Sequence, residues 1–307
     1  MQLLWCLISG IVFCIAPYAL YQENDSGLAV AYRQTALRAV HFLIFFLFFV
    51  VFRLKVWYTV KVKSTPLRNG VKKEQNMKFK TELHCHSGDV SACSKAPVEL
   101  IIDRYTAAGY HSLVLTNHLS RFTYKNKEFD HSEDWDWTQK IDFFMYGYHH
   151  LKEAAGDRLH IILGCELRSN TDENDYQLYG VTEEFLRATP DIMNMSIKDL
   201  GPLCHEHGIL LFQAHPFRSG MQIKKPELLD GIEVVNGNLG ANSRNDFAYM
   251  WAQRFGLKMS AGSDFHGLVH EANTGILTDH PITTREELLE VLNSGAFEII
   301  NKDALLV

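Results

Sequence analysis

The chain has 307 residues, 47% of them hydrophobic and 21% charged, enough apolar content for a buried core and too much for disorder. Its net charge is −6, and residues 77–307 alone hold 21 basic against 33 acidic residues, net −12. That balance argues against long nucleic acid held on a broad basic face. Six cysteines without a CxxC pair argue against a disulfide scaffold.

In chain order, Leu3–Leu20 is free of charge, and Ala39–Phe52 is again uncharged and rich in Phe. These segments predict an N-terminal pair of transmembrane helices, at about 3–20 and 39–60, making residues 1–60 a membrane anchor. A basic linker follows over 61–76. The positive run from Arg53 to Lys80 places the catalytic domain on the cytoplasmic side of the membrane. Alternatively, translation begins at Met77 and yields a soluble cytoplasmic domain, since MKFKTELHCH would open a strand directly.

Residues 77–307 alternate short apolar runs with amphipathic stretches, which predicts α/β architecture. Strands are expected at LHCH, SLVLTNH, LHIILGCE, YQLYGV, ILLFQAHP, GIEVVNG and LKMSAGSDFH. Pro97 and Gly109 bracket one helix, a second runs from about Thr138 to Ala155, and Thr284 with Glu287 forms a capping box for a helix stopped at Gly295. The stretch Ser120–Trp137 reads as a lid or a surface insertion. Cys85 and Cys165 neighbour ligand candidates, but a strand turns neighbours to opposite faces, so both read as core thiols.

One expected strand after another ends in a metal-binding side chain: His84 and His86, His118, Glu166, His215, and Asp264 with His266. In β/α folds such ends converge on one mouth, and residues two apart on a strand face the same way. Glu166 has two oxygens and can bridge two ions, and imidazoles with carboxylates favour zinc, manganese or iron. His149, His150, His205 and His207 fall on helical stretches and read as solvated or capping residues.

LHCH, LTNH, GCE, AHP and SDFH, in this order, closely resemble the PHP family, named for polymerase and histidinol phosphatase domains, over residues 79 to about 300. The resemblance implies a distorted (β/α)7 barrel with two or three divalent ions at its mouth. It implies that His84, His86, Glu166 and Asp264 hold one ion, that Glu166 bridges to a second bound by His215, and that His118 and His266 serve a third. Asp89 is the candidate for the acidic ligand of the family's SDG segment. Asp175 stands where many members have His, and Asn117 where Asp is frequent.

Such a centre hydrolyses a phosphate monoester of a small metabolite or nucleotide through a water deprotonated by the metals. Arg168 and Arg218 are candidate phosphate clamps or structural ion-pair partners. Asp264 and His266 are both candidate proton donors to the leaving oxygen. The rival readings are a phosphodiesterase or 5′ to 3′ exonuclease, and a noncatalytic metal-dependent binding module at the membrane. An amidohydrolase also starts with HxH, but GCE and SDFH argue against it.

Overall fold

The structure, a computed structural model, describes residues 78–125, 134–172 and 174–301. Strand β1 (Phe79–Cys85) leads into helix α1 (Val98–Ala107), β2 (Tyr110–Leu115) and the short β3 (His118–Leu119). Helix α2 (Trp137–Ala155), β4 (His160–Arg168), β5 (Asp175–Tyr179), α3 (Glu183–Ala188), α4 (Ile197–Glu206) and β6 (Leu210–Gln213) follow. The chain then forms β7 (Gly231–Asn236), α5 (Asn245–Phe255), β8 (Lys258–Gly262), β9 (Thr274–Thr278), α6 (Arg285–Ser294) and β10 (Glu298–Asn301).

The strands lie in the order β10-β9-β1-β2-β4-β5-β6-β7-β8, with β3 beside β4. The sheet curls until its far side meets β1. A bridge joins Cys85 to Phe265 just past β8, and the His86 amide donates to the Phe265 carbonyl at 3.0 Å. The result is a nearly closed barrel.

Two features correct the expected fold class. The sheet is mixed: β5 runs antiparallel to β4 and β6, and β9 antiparallel to β1 and β10. Residues 169–174 are all that separates β4 from β5 in the chain, and a connection of that length returns the chain antiparallel, since a parallel crossover needs a dozen residues or more. The N-terminal transmembrane pair is withdrawn as well. Its segments lie outside the described residues, and no described helix is long and apolar enough to cross a membrane. The expected linker and Met77 also lie outside the described residues.

Local chemistry explains the helix boundaries. Asp136 accepts from the Gln139 amide while the Gln139 side chain reaches back, and Thr284 with Glu287 repeats this box, so α2 and α6 have their first orphan donors satisfied. Pro97 is the N-cap of α1, one position before the first helical residue. Gly295 ends α6 at φ 67°, the left-handed region glycine tolerates.

Alternation on β4 sorts its side chains. Cys165 and Leu167 enter the core under α2, α3 and α4, whereas Glu166 and Arg168 point to the mouth. Cys85 likewise packs into the core around α1, as expected for a buried thiol.

Candidate metal centre

Four of the expected ligands meet at one point. His84 Nε2 lies 3.0 Å from His86 Nε2, 3.3 Å from Glu166 Oε1 and 3.3 Å from Asp264 Oδ1. His86 Nε2 is 3.2 Å from Glu166 Oε2 and 3.4 Å from Asp264 Oδ1. Ligands about 2.1 Å from one ion stand roughly 3.0 Å apart at octahedral and roughly 3.4 Å apart at tetrahedral angles. The spacing fits a transition metal.

Glu166 extends the cluster to both sides. Parallel pairing of β3 with β4 sets His118 opposite Glu166, and His118 Nδ1 lies 3.1 Å from Oε2. His215 Nε2 lies 3.3 Å from Oε1 and 3.7 Å from Asp175 Oδ2. His86, His118 and His266 form a further grouping of close donor atoms, and His118, Glu166 and Asp175 another. Glu166 is fully buried, yet neither oxygen accepts an ordinary hydrogen bond. A buried carboxylate in that state calls for a cation.

The second layer sets which nitrogens face inward. Glu233 Oε1 lies 2.8 Å from His84 Nδ1, and a carboxylate only accepts, so Nδ1 carries a proton and Nε2 is the nitrogen turned to the centre. Glu233 Oε2 also takes the His215 amide at 2.9 Å and the Asn236 side-chain amide at 3.0 Å. The His266 Nδ1 proton goes to the Asp264 carbonyl at 2.8 Å, which leaves its Nε2 free. Glu82, beneath the ligands, accepts the amides of Leu83, His84 and Ser263 on Oε1 and the Tyr105 hydroxyl on Oε2.

Electrostatics match a site built for cations. Burial pushes His118 down to about 3 and His266 to about 4, so both imidazoles are neutral at physiological pH. Burial also opposes the charge of His84, but Glu166, Glu233 and Asp264 override it and hold its pKa well above normal. Burial raises Asp175 to about 6, with the Glu166 charge adding to the effect. Two residues of the cluster, His215 at φ 28° and Asp264 at φ 49°, hold a left-handed backbone that side chains resist, and such outliers cluster at functional sites. Gly262 must be small, because a Cβ there would come within 2.2 Å of His84 Cβ.

The mouth thus gathers His84, His86, His118, Glu166, Asp175, His215, Asp264 and His266. Asp89 is not among them, because its carboxylate turns to His150 Nδ1 on α2 at 2.9 Å. Arg168 makes a bidentate pair with Asp175 at 2.8 and 3.0 Å, a contact set by their cross-strand register. Arg218 donates to Asp264 Oδ2 at 2.7 Å and to Asn236 Oδ1 at 2.8 Å. Glu233, Asn236 and Glu82 escaped the sequence reading. The signal available for Glu233 was a carboxylate inside the apolar run GIEVVNG, where only a partnered acid survives burial.

No family model and no curated protein matches the sequence. Solved structures do. A two-domain protein from Bacteroides vulgatus containing a predicted PHP-like metal-dependent phosphoesterase is 17% identical, with 78% of this chain and 70% of that one covered and a TM-score of 0.52. The chain adopts the PHP fold. PsfC from Pseudomonas syringae is also similar, at 14% identity, with 74% of this chain and 92% of that one covered and a TM-score of 0.52. An Endonuclease Q, solved with a 27-mer duplex carrying an abasic lesion, is 16% identical over 71% of this chain and 57% of its own, at a TM-score of 0.49.

The support of His84 by Glu233 leads to a prediction for this barrel. Glu233→Ala is expected to weaken metal binding about 10- to 100-fold, the usual loss when a ligand's outer partner is removed. Competition against a chelator of known affinity checks it. An unchanged dissociation constant would show that His84 needs no such support.

Proposed function

We propose that the barrel is a metal-dependent phosphoesterase that hydrolyses a phosphate monoester of a small metabolite or nucleotide. The observation that carries this reading is Glu166, fully buried, unbonded and ringed by nitrogens of His84, His86, His118 and His215. In it, His84, His86, Glu166 and Asp264 would hold one divalent ion, Glu166 with His215 and Asp175 would hold a second, and His118 and His266 would serve a third. When bound, zinc, manganese or iron supplies a readily deprotonated water and neutralises phosphoryl oxygens.

The chain's own residues position and balance charge. Arg218 and Arg168 are the proposed phosphate contacts. Each guanidinium is already anchored on a carboxylate, so little rotamer freedom is lost when a phosphate arrives. Asp264 stays ionised although burial opposes it, because His84 and its neighbours hold its pKa well below normal. His266 donates its Nδ1–H to the Asp264 carbonyl, and burial keeps its imidazole neutral. Both are therefore better placed as ligands than as donors of a proton to the leaving oxygen.

Protein prepared without chelators is expected to contain at least two equivalents of transition metal and to release phosphate from monoesters with added manganese or zinc. Elemental analysis and a phosphate-release assay check this. Less than about half an equivalent, with no uptake on addition, would overturn the reading.

A further inference from the structure

We propose that the cavity walled by residues 235–246 is a specificity pocket for a second anionic group on the substrate, held by Arg244. This deepens the phosphoesterase reading and rests on it. The cavity has a volume of about 320 Å³, and Asn273 with Thr274 completes its wall. It adjoins the metal centre directly: Asn236 Nδ2 and Asn238 Nδ2, both on its wall, donate to Asp264 Oδ2 at 3.2 and 3.3 Å. A substrate whose phosphate lies at the ligands can therefore extend its alcohol part into this space.

The wall's amides are largely committed to the wall itself. Asn236 serves Glu233, Asp264 and Arg218, Asn245 brackets the Asn236 backbone, and Asn273 bonds the Gly237 carbonyl and the Thr274 hydroxyl. Arg244 differs. Its side chain is exposed on the wall, donates through Nη1 to the Phe217 carbonyl at 2.5 Å, and makes no ion pair with any described carboxylate. Its guanidinium thus keeps most of its donor fork for a ligand.

Its backbone is the third non-glycine in the chain's described part with positive φ, at 48°, and the other two are the ligands His215 and Asp264. Asn242 Oδ1 fixes that geometry by accepting the Arg244 amide at 3.1 Å. Asp246, the carboxylate on the same wall, stands in the first turn of α5 and leaves Arg244 unpaired. A planar cation held in a strained backbone beside a reaction centre suits a carboxylate or phosphate, both of which it grips bidentately.

The test uses the manganese-loaded full chain and matched ester pairs. These are 3-phosphoglycerate against glycerol 3-phosphate for a carboxylate, and fructose 1,6-bisphosphate against fructose 6-phosphate for a phosphate. The expected kcat/KM ratio is about tenfold or more in at least one pair, the scale of one charge-assisted contact. It falls toward one in Arg244→Gln and is partly restored in Arg244→Lys. Which pair shows the ratio identifies the anion. A ratio near one in the wild type, or a ratio the Gln variant retains, overturns the pocket. Calorimetric titration with 3-phosphonopropionate against propylphosphonate separates this from the catalytic reading. An Arg244-dependent preference without turnover of any ester supports the pocket and defeats the phosphoesterase, whereas turnover without the preference does the reverse.

Discussion

Glu166→Gln is expected to abolish hydrolysis and metal uptake while leaving the barrel folded. The substitution keeps the shape of the side chain and removes its charge at the point where four imidazoles converge. A glutamine amide can offer a metal one oxygen but no negative charge, and it cannot neutralise two ions at once. A loss of about 4 kcal/mol of transition-state stabilisation, within the several kcal/mol that bound metal contributes, lowers the rate on the order of a thousandfold. Three measurements decide it. Elemental analysis should show less than one equivalent of metal, kcat/KM should fall by that order, and the rise in Tm that manganese gives the wild type should vanish. Circular dichroism should be unchanged, since α1 to α6 and the sheet register owe nothing to the lost charge. A variant that still binds two metals and turns over would refute the shared role of Glu166.

The side chains that gather at the mouth were legible in the sequence because their spacing follows a local rule. His84 lies on β1 and His86 one residue past its end, and the two-residue spacing of extended backbone turns both to the same side, with their Nε2 atoms 3.0 Å apart. Asp264 and His266 lie past the end of β8, where a left-handed Asp264 backbone, not strand alternation, turns them inward. What was not legible depends on pairings made far along the chain. Glu233 reaches His84 across 149 residues, and Glu82 reaches Ser263 across 181, distances over which no periodicity speaks. Asp89 has the right chemistry for a ligand, but its carboxylate pairs with His150, 61 residues later, and it belongs to none of the metal-binding groupings of the described residues. The mixed sheet is an intermediate case. The connection between β4 and β5 is short in the sequence itself, whereas the (β/α)7 barrel that the resemblance implies is built of parallel strands. Arg168 and Asp175 show the consequence, since only an antiparallel β5 brings them opposite each other.

Glu82→Ala should be among the most destabilising single changes in the barrel, and Glu82→Gln should be far milder. Glu82 is fully buried at the seam between β1 and the segment after β8. Its two oxygens take three backbone amides and the Tyr105 hydroxyl, all at 2.8 to 2.9 Å. Alanine would strand these donors in the core, and at 1–3 kcal/mol for each unsatisfied group the loss is about 4 kcal/mol after partial relief by water. For a domain of this size that lowers Tm by about 8–16 °C. Glutamine retains an accepting oxygen, and the Tyr105 oxygen can accept from its amide. The two variants also differ in pH response. Burial raises the Glu82 carboxyl from 4.5 to about 7, against the hydrogen bonds it accepts from the His84 and Ser263 amides. The unfolded chain then loses this proton near pH 4.5 while the folded protein keeps it to about 7, so stability contributed by the group falls as pH rises across that window, by about 3 kcal/mol. Glutamine has no such proton. The stability of wild type relative to Glu82→Gln, measured by denaturant titration of chelated protein, should therefore fall from pH 5 to pH 7.5. A constant gap would show that Glu82 is ionised throughout, and a Glu82→Ala protein melting within about 3 °C of wild type would show that the seam does not depend on this carboxylate.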